Sequence, residues 1–248
     1  VSTYLHEVWS MTSHPIDHHV IVSWTDKVYP AFPYASDSHI VQALQSLFEA
    51  WGMDKENPFG NLVAPGQAVL IKPNWVRNYL PQEKDFDALI THSSIISALL
   101  NFSIRALKGK GTIVIADAPL QNCDFETLIK KNRIQEVIQA ARSDFPDMTF
   151  IIEDWRLTRL TRSKLQGNVQ SSRDDFSGDE TDTHKVVNIG KQSFLEDIAE
   201  YSDRFRVTRY KPSIMRKHHA QGKHEYLIAR RVFNVDLMIN VSKMKTHI

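Results

Sequence analysis

A chain of 248 residues, 42% hydrophobic and 24% charged, has the make-up of an ordinary folded protein and room for one large α/β domain or two small ones. Its 30 Lys and Arg stand against 29 Asp and Glu, which removes the general electrostatic reason to expect nucleic acid or an anionic membrane as a partner. The single cysteine, Cys123, excludes an internal disulfide and any iron–sulfur cluster held by several thiolates of this chain alone, and it fits a reducing, cytoplasmic setting.

Residues 20–24 read as a first strand. Residues 38–52 read as an amphipathic helix, with Ile40, Val41, Leu44, Leu47, Phe48 and Trp51 at helical spacing and Gly52 to end it. A turn-rich connector from Asp54 to Gly66 leads to Ala68-Val-Leu-Ile-Lys-Pro-Asn74, a near-continuous apolar run that reads as a buried parallel strand stopped by Pro73. A helix is expected from Ser93 or Ser94 to about Lys108, a second buried strand over 112–117, a helix over 124–142 and a third strand over 148–153. This β-α-β-α-β order predicts a parallel, doubly wound α/β sheet with helices on both faces. Residues 156–184 read as a long polar loop, within a polar insertion spanning about 156–224. A short strand near 186–189, a helical patch near 192–201 and a strongly basic stretch over 204–224 follow. A helix or extended segment at 225–233 then leads into a last buried strand, Val235 to Val241. No run approaches the roughly 20 apolar residues that cross a bilayer, so no membrane span is expected.

Ligands of open α/β sheets bind beyond the carboxyl ends of the strands. Three such ends carry polar groups here: Lys72 and Asn74, Asp117, and the cluster Lys243, Lys245 and His247. None is glycine-rich, so a phosphate-cradling loop is not expected. Lys72 beside Asn74 reads either as a site for a carboxylate or phosphate or as a strand-end lysine with a turn-shaping amide. Asp117 reads as a proton or cation acceptor or as a helix cap, and Thr91-His92-Ser93 as a cap or a site histidine. In Lys243-x-Lys245-x-His247 a desolvated lysine beside a second cation would lose its proton and act as base or nucleophile, and the imidazole would shuttle protons or ligate a metal; the alternative is a solvated basic turn. His218, His219 and His224 match no metal-ligand spacing and read as part of a solvated basic loop, Trp155 and Arg156 as a core edge, and Cys123 as a structural thiol.

Val69-Leu-Ile-Lys-Pro-Asn-Trp75, Thr91-His-Ser93, Ile113-Val-Ile-Ala-Asp-Ala-Pro119 and Asp236-Leu-Met-Ile-Asn-Val-Ser-Lys-Met-Lys-Thr-His247 resemble the DUF362 family in order and spacing. The resemblance covers about 66–248 and implies a DUF362-like α/β domain there, with 1–65 an N-terminal extension packed on it. It also implies further sequence: members continue past this last motif, and the chain starts at Val1 and stops at Ile248, so more chain is expected at both ends. Many members carry an iron–sulfur segment, which one cysteine cannot supply, so an iron–sulfur protein becomes a candidate partner. The family setting suggests polysaccharide biosynthesis. A more distant similarity to the lactate racemase family implies that His247 would touch a metal or a hydroxy acid.

The expected function is therefore an enzyme for a small anionic substrate, a hydroxy acid, sugar or sugar acid. Lys72, Asn74, Asp117 and Lys243 would bind it, and Lys245 or His247 would transfer the proton, with a divalent or transition metal at His247 in the metal-assisted form. The alternative is a non-catalytic redox or assembly partner that uses Arg216, Lys217 and the rest of the basic stretch as its contact surface.

Overall fold

The computed structural model describes residues 6–10, 19–79, 86–157, 159, 179–206 and 212–245. The chain divides into two compact units, one of 1–117, 124–154 and 236–248, the other of 118–123 and 155–235.

In the first unit, β1 (His6–Ser10) pairs antiparallel with β2 (His19–Ser23), and α1 (His39–Ala50) follows. The core then builds as β3 (Ala68–Pro73), the one-turn α2 (Phe86–Leu89), α3 (Ser93–Ala106), β4 (Gly111–Asp117), α4 (Phe125–Lys131), α5 (Ile134–Asp144) and β5 (Met148–Asp154). The chain leaves for the second unit, where β6 (His184–Asn188), α6 (Pro212–His218), β7 (His219–Ala220) and β8 (Lys223–Ala229) form a small antiparallel sheet of order β6-β8-β7 beside α6. It returns with β9 (Leu237–Val241).

The first unit is an α/β arrangement on a four-stranded parallel sheet of order β5-β4-β3-β9. Val69, Leu70 and Ile71 of β3 and Ile113, Val114 and Ile115 of β4 are fully buried, as the unbroken apolar runs require of strands covered on both faces. Each such side chain contributes roughly 1.5–3 kcal/mol of burial free energy. The strand order reverses at β3: the chain steps outward to β4 and β5, then comes back on the other side of β3 as β9. β4 starts so close to the β3 entry that a Cβ on Gly111 would meet the Gln67 carbonyl at 2.4 Å, and its φ of +132° also demands glycine.

Three local expectations change. The helix predicted over 124–142 is two helices, because Arg133 takes a left-handed φ of 56° after Asn132. The helical patch near 192–201 takes 3-10 form, over Gly190–Gln192 and Glu196–Arg204. The basic stretch is largely folded into α6, β7 and β8; of the loop expected over 156–184, residues 158 and 160–178 lie outside the described residues. No described helix is long and apolar enough to cross a membrane.

Candidate functional site

The carboxyl ends of β3, β4 and β9 bring the predicted residues together. Asp117, the last residue of β4, is 7% exposed in its side chain, and Lys72 of β3 donates to it at 2.8 Å. Its second oxygen accepts the backbone N–H of Trp75 at 2.6 Å, so one carboxylate balances the lysine and holds the turn that carries Asn74. Of the two readings of Asp117 from the sequence, the pairing with the Lys72 ammonium agrees with a cation-orienting carboxylate; the residue caps a strand exit, not a helix.

Lys245, beyond β9, donates to Asn74 Oδ1 at 2.6 Å and to the Leu89 carbonyl at 2.8 Å. Burial is the main force lowering its pKa from the ordinary lysine value; Lys243 adds to this, and Asp117 opposes it. Lys243 donates to the Tyr29 hydroxyl at 3.1 Å and lies 5.1 Å from the ring centre, which places the ammonium off the phenol oxygen rather than over the ring face. Among the described residues neither Lys243 nor Lys245 has a carboxylate within ion-pairing distance. The strand ends thus gather three ammonium groups around a single buried carboxylate.

Thr91 ties the floor of the crevice. Its hydroxyl accepts the N–H of Asn74 at 2.9 Å and donates to the Val241 carbonyl at 2.7 Å, while its own N–H reaches the Asn74 carbonyl. His92 is the N-cap of α3, accepting the Ser94 N–H on Nδ1 at 3.2 Å, and Tyr29 stacks flat on its ring at 4.2 Å. Burial lowers the His92 pKa below the ordinary value; Asp87 opposes this and Lys243 reinforces it. Asn132, buried at the break between α4 and α5, accepts the Ser93 N–H and donates to the Thr91 carbonyl.

Lys72, Asn74, Asp117, Lys243 and Lys245 therefore share one site, and His247 lies outside the described residues. Tyr29, Asn132 and the Leu89 carbonyl escape sequence reading. Asn132 alone carried a signal, an asparagine after Lys130-Lys131 in the manner of a helix end. Among the described residues no cluster of three His, Cys, Asp or Glu is placed to hold a metal ion.

In the second unit His218, His219 and His224 are buried, not solvated. His224 lies 3.0 Å from Glu196 through Nε2, and His218 lies 2.8 Å from Glu225 through Nδ1. Lys217 pairs with Asp179 at 2.7 Å. Arg156 donates to the carbonyls of Leu120 and Cys123 and clamps that loop, and the Cys123 side chain is buried. Burial lowers the His219 pKa, with His224 and His218 adding to the effect and Glu225 opposing it; burial also lowers that of His184 against the Trp155 carbonyl. A histidine held below its ordinary value favours the folded state while neutral. This stability is complete above about pH 6.5 and drains away as the pH falls below it. The β8 amides should exchange several-fold faster at pH 5.5 than at pH 7.5 after correction for intrinsic rates, and His219→Phe should flatten that dependence. An unchanged slope in the variant would assign the acid response elsewhere.

Fold and site define an α/β protein with a cluster of lysines at the strand ends where its parallel sheet reverses strand order, the usual ligand position of such sheets. Compared with family models, curated proteins and solved structures, the chain matches none of them.

Proposed function

We propose that this chain carries the substrate crevice of an enzyme acting on a small anion, a hydroxy acid, sugar or sugar acid, between the exits of β3, β4 and β9. The observation that supports it is the convergence of Lys243 and Lys245, both without a carboxylate partner among the described residues, beside a Lys72 already engaged by Asp117. Lys243 is near enough to help lower the Lys245 pKa, and an anion beside the two would relieve that repulsion. Lys72 keeps a remaining N–H for the ligand, Lys243 binds the anionic group and Lys245 moves the proton. Lys245 suits that task, because burial and Lys243 both favour its neutral amine.

In the same reading His247 shares the proton transfer or holds a metal ion. The strand order that reverses at β3 supports a doubly wound sheet with helices on its second face as well. The motifs at 69–75, 91–93, 113–119 and 236–247 support a DUF362-like assignment, and that resemblance alone supports a cytoplasmic place near polysaccharide biosynthesis or an iron–sulfur partner.

Calorimetric titration with malonate and glucuronate should show binding that weakens at least tenfold in Lys243→Gln and in Lys245→Gln. Incubated in D2O with lactate, glycerate or glucuronate, the protein should wash deuterium into the carbon next to the carboxylate of one of them. Lys245→Gln should abolish this exchange. Anion binding indifferent to both substitutions would remove the reading.

A further inference from the structure

Among the described residues His92 supplies the imidazole beside these strand ends, and its hydrogen bonding points to how it is protonated. Nδ1 lies 3.2 Å from the Ser94 backbone nitrogen and 2.8 Å from the Ser94 hydroxyl. A backbone N–H only donates, so Nδ1 must present its lone pair, and the ring proton of the neutral imidazole sits on Nε2. Protonating Nδ1 would set an N–H against the Ser94 N–H and break the cap of α3. The ring has little room to turn away: Tyr29 lies parallel to it at 4.2 Å, with a 5° angle between planes, and Tyr34 meets it edge-on at 6.0 Å.

Nε2 has no hydrogen-bond partner among the described residues, and Asp87 Oδ2 lies 4.0 Å from it. The groups that face the ring are Asp87 from α2, Ser94 from α3, Tyr29 and Tyr34 from the segment before α1, and Lys243 beyond β9. The α3 N-terminus offers a ligand little in its own right. The Ser93 N–H goes to Asn132, the Ser94 N–H to His92 itself and the Ile95 N–H to the His92 carbonyl. The open donor at this end of α3 is therefore a side-chain N–H. Lys243 and Lys245, which also donate, belong to the same set of strand-end groups.

We propose that His92 binds substrate as a neutral imidazole, donating its Nε2–H to an oxygen beside the carboxylate that the lysines hold. The proposal rests on the anion-crevice reading above and narrows it. The Lys243 ammonium, the Lys245 amine and a separate neutral N–H on His92 together suit a carboxylate with an adjacent hydroxyl or carbonyl oxygen, in preference to a simple carboxylate. A site built to hydrogen-bond a substrate oxygen discriminates strongly against the analogue that lacks it.

The test compares glycolate, which has the adjacent hydroxyl, with propionate, which does not. In ¹⁵N-labelled protein, long-range proton–nitrogen spectra at pH 7 should show His92 as the Nε2–H tautomer, with the Nε2 signal moving on addition of glycolate and not of propionate. His92→Asn keeps a good helix cap and loses the reach of the ring, so the fold should persist. In that variant glycolate should weaken about tenfold, to the level of propionate, with propionate unchanged. A Nδ1–H tautomer, a charged ring at pH 7, or undiminished glycolate preference in His92→Asn would overturn the proposal and leave the lysine crevice standing. If neither anion binds the unaltered protein, both readings fall.

Discussion

Asp117→Ala should cost about 2–4 kcal/mol, less than breaking a fully buried ion pair, and be among the most damaging single changes at the strand ends. The alanine removes the acceptor of two donors at once: the Lys72 ammonium at 2.8 Å and the Trp75 backbone N–H at 2.6 Å. The Trp75 N–H would be left unpaired next to a side chain that is 1% exposed, which alone costs about 1–3 kcal/mol. Lys72 would lose its counter-charge with Lys243 and Lys245 nearby. Being about one-third exposed, it recovers part of that loss by turning to water, which holds the total below that of a fully buried pair. Hydrogen exchange of the β3 and β4 amides under increasing urea reads the effect on this unit alone. The double variant Lys72→Met, Asp117→Asn should recover part of the loss, since it removes the stranded charge and keeps an acceptor for Trp75. A shift below about 1 kcal/mol in Asp117→Ala would mean that water replaces the carboxylate at little cost.

Thr91→Val should cost about 2–4 kcal/mol although the two side chains have nearly the same shape. Thr91 is 2% exposed, and its hydroxyl links the Asn74 N–H to the Val241 carbonyl, the exits of two neighbouring strands. Valine leaves one backbone donor and one acceptor buried without partners. Thr91→Ser, which restores both bonds, should stay within about 1 kcal/mol of the unaltered protein. The change also has a functional readout. With the β9 exit released, Lys245 loses its fixed distance to Asn74, so malonate affinity should fall in Thr91→Val and survive in Thr91→Ser. Equal stability of the two variants would show that the hydroxyl bridge is dispensable.

How much of this was legible beforehand follows from what kind of signal each part leaves. The strands β3, β4 and β9 announce themselves because a strand buried on both faces must be apolar at every position, and the polar residues that end such runs fall on the ligand edge of the sheet. Lys72, Asn74, Asp117, Lys243 and Lys245 were found in that way. Strand order leaves no local mark, so the return of β9 to the flank of β3 was not readable, and neither was the meeting of Lys245 with Asn74 across 171 positions. Tyr29 comes from a stretch with no periodicity at all. The burial of His218, His219 and His224 was hidden by their basic neighbours. Yet Gln221-Gly222 lies between two paired strands, with Gly222 at a φ of +72°, and a two-residue turn ending in glycine is a hairpin signal that could have marked β7 and β8.

The late return of β9 also sets an order of events as the chain folds. Lys72 and Asp117 are 45 positions apart and can meet once β3, α3 and β4 have collapsed. Asn74 and Lys245 must wait for a loop nearly four times longer to close, with the whole second unit inside it. Each doubling of such a loop adds only about 0.6 kcal/mol of closure entropy, so the delay is one of sequence and time more than of energy. On a ribosome, the hydrophobic flank of β3 stays open until the end of the second unit has emerged. During that interval the nascent sheet has an unpaired inner edge, and whatever protects it then protects the crevice before the crevice exists.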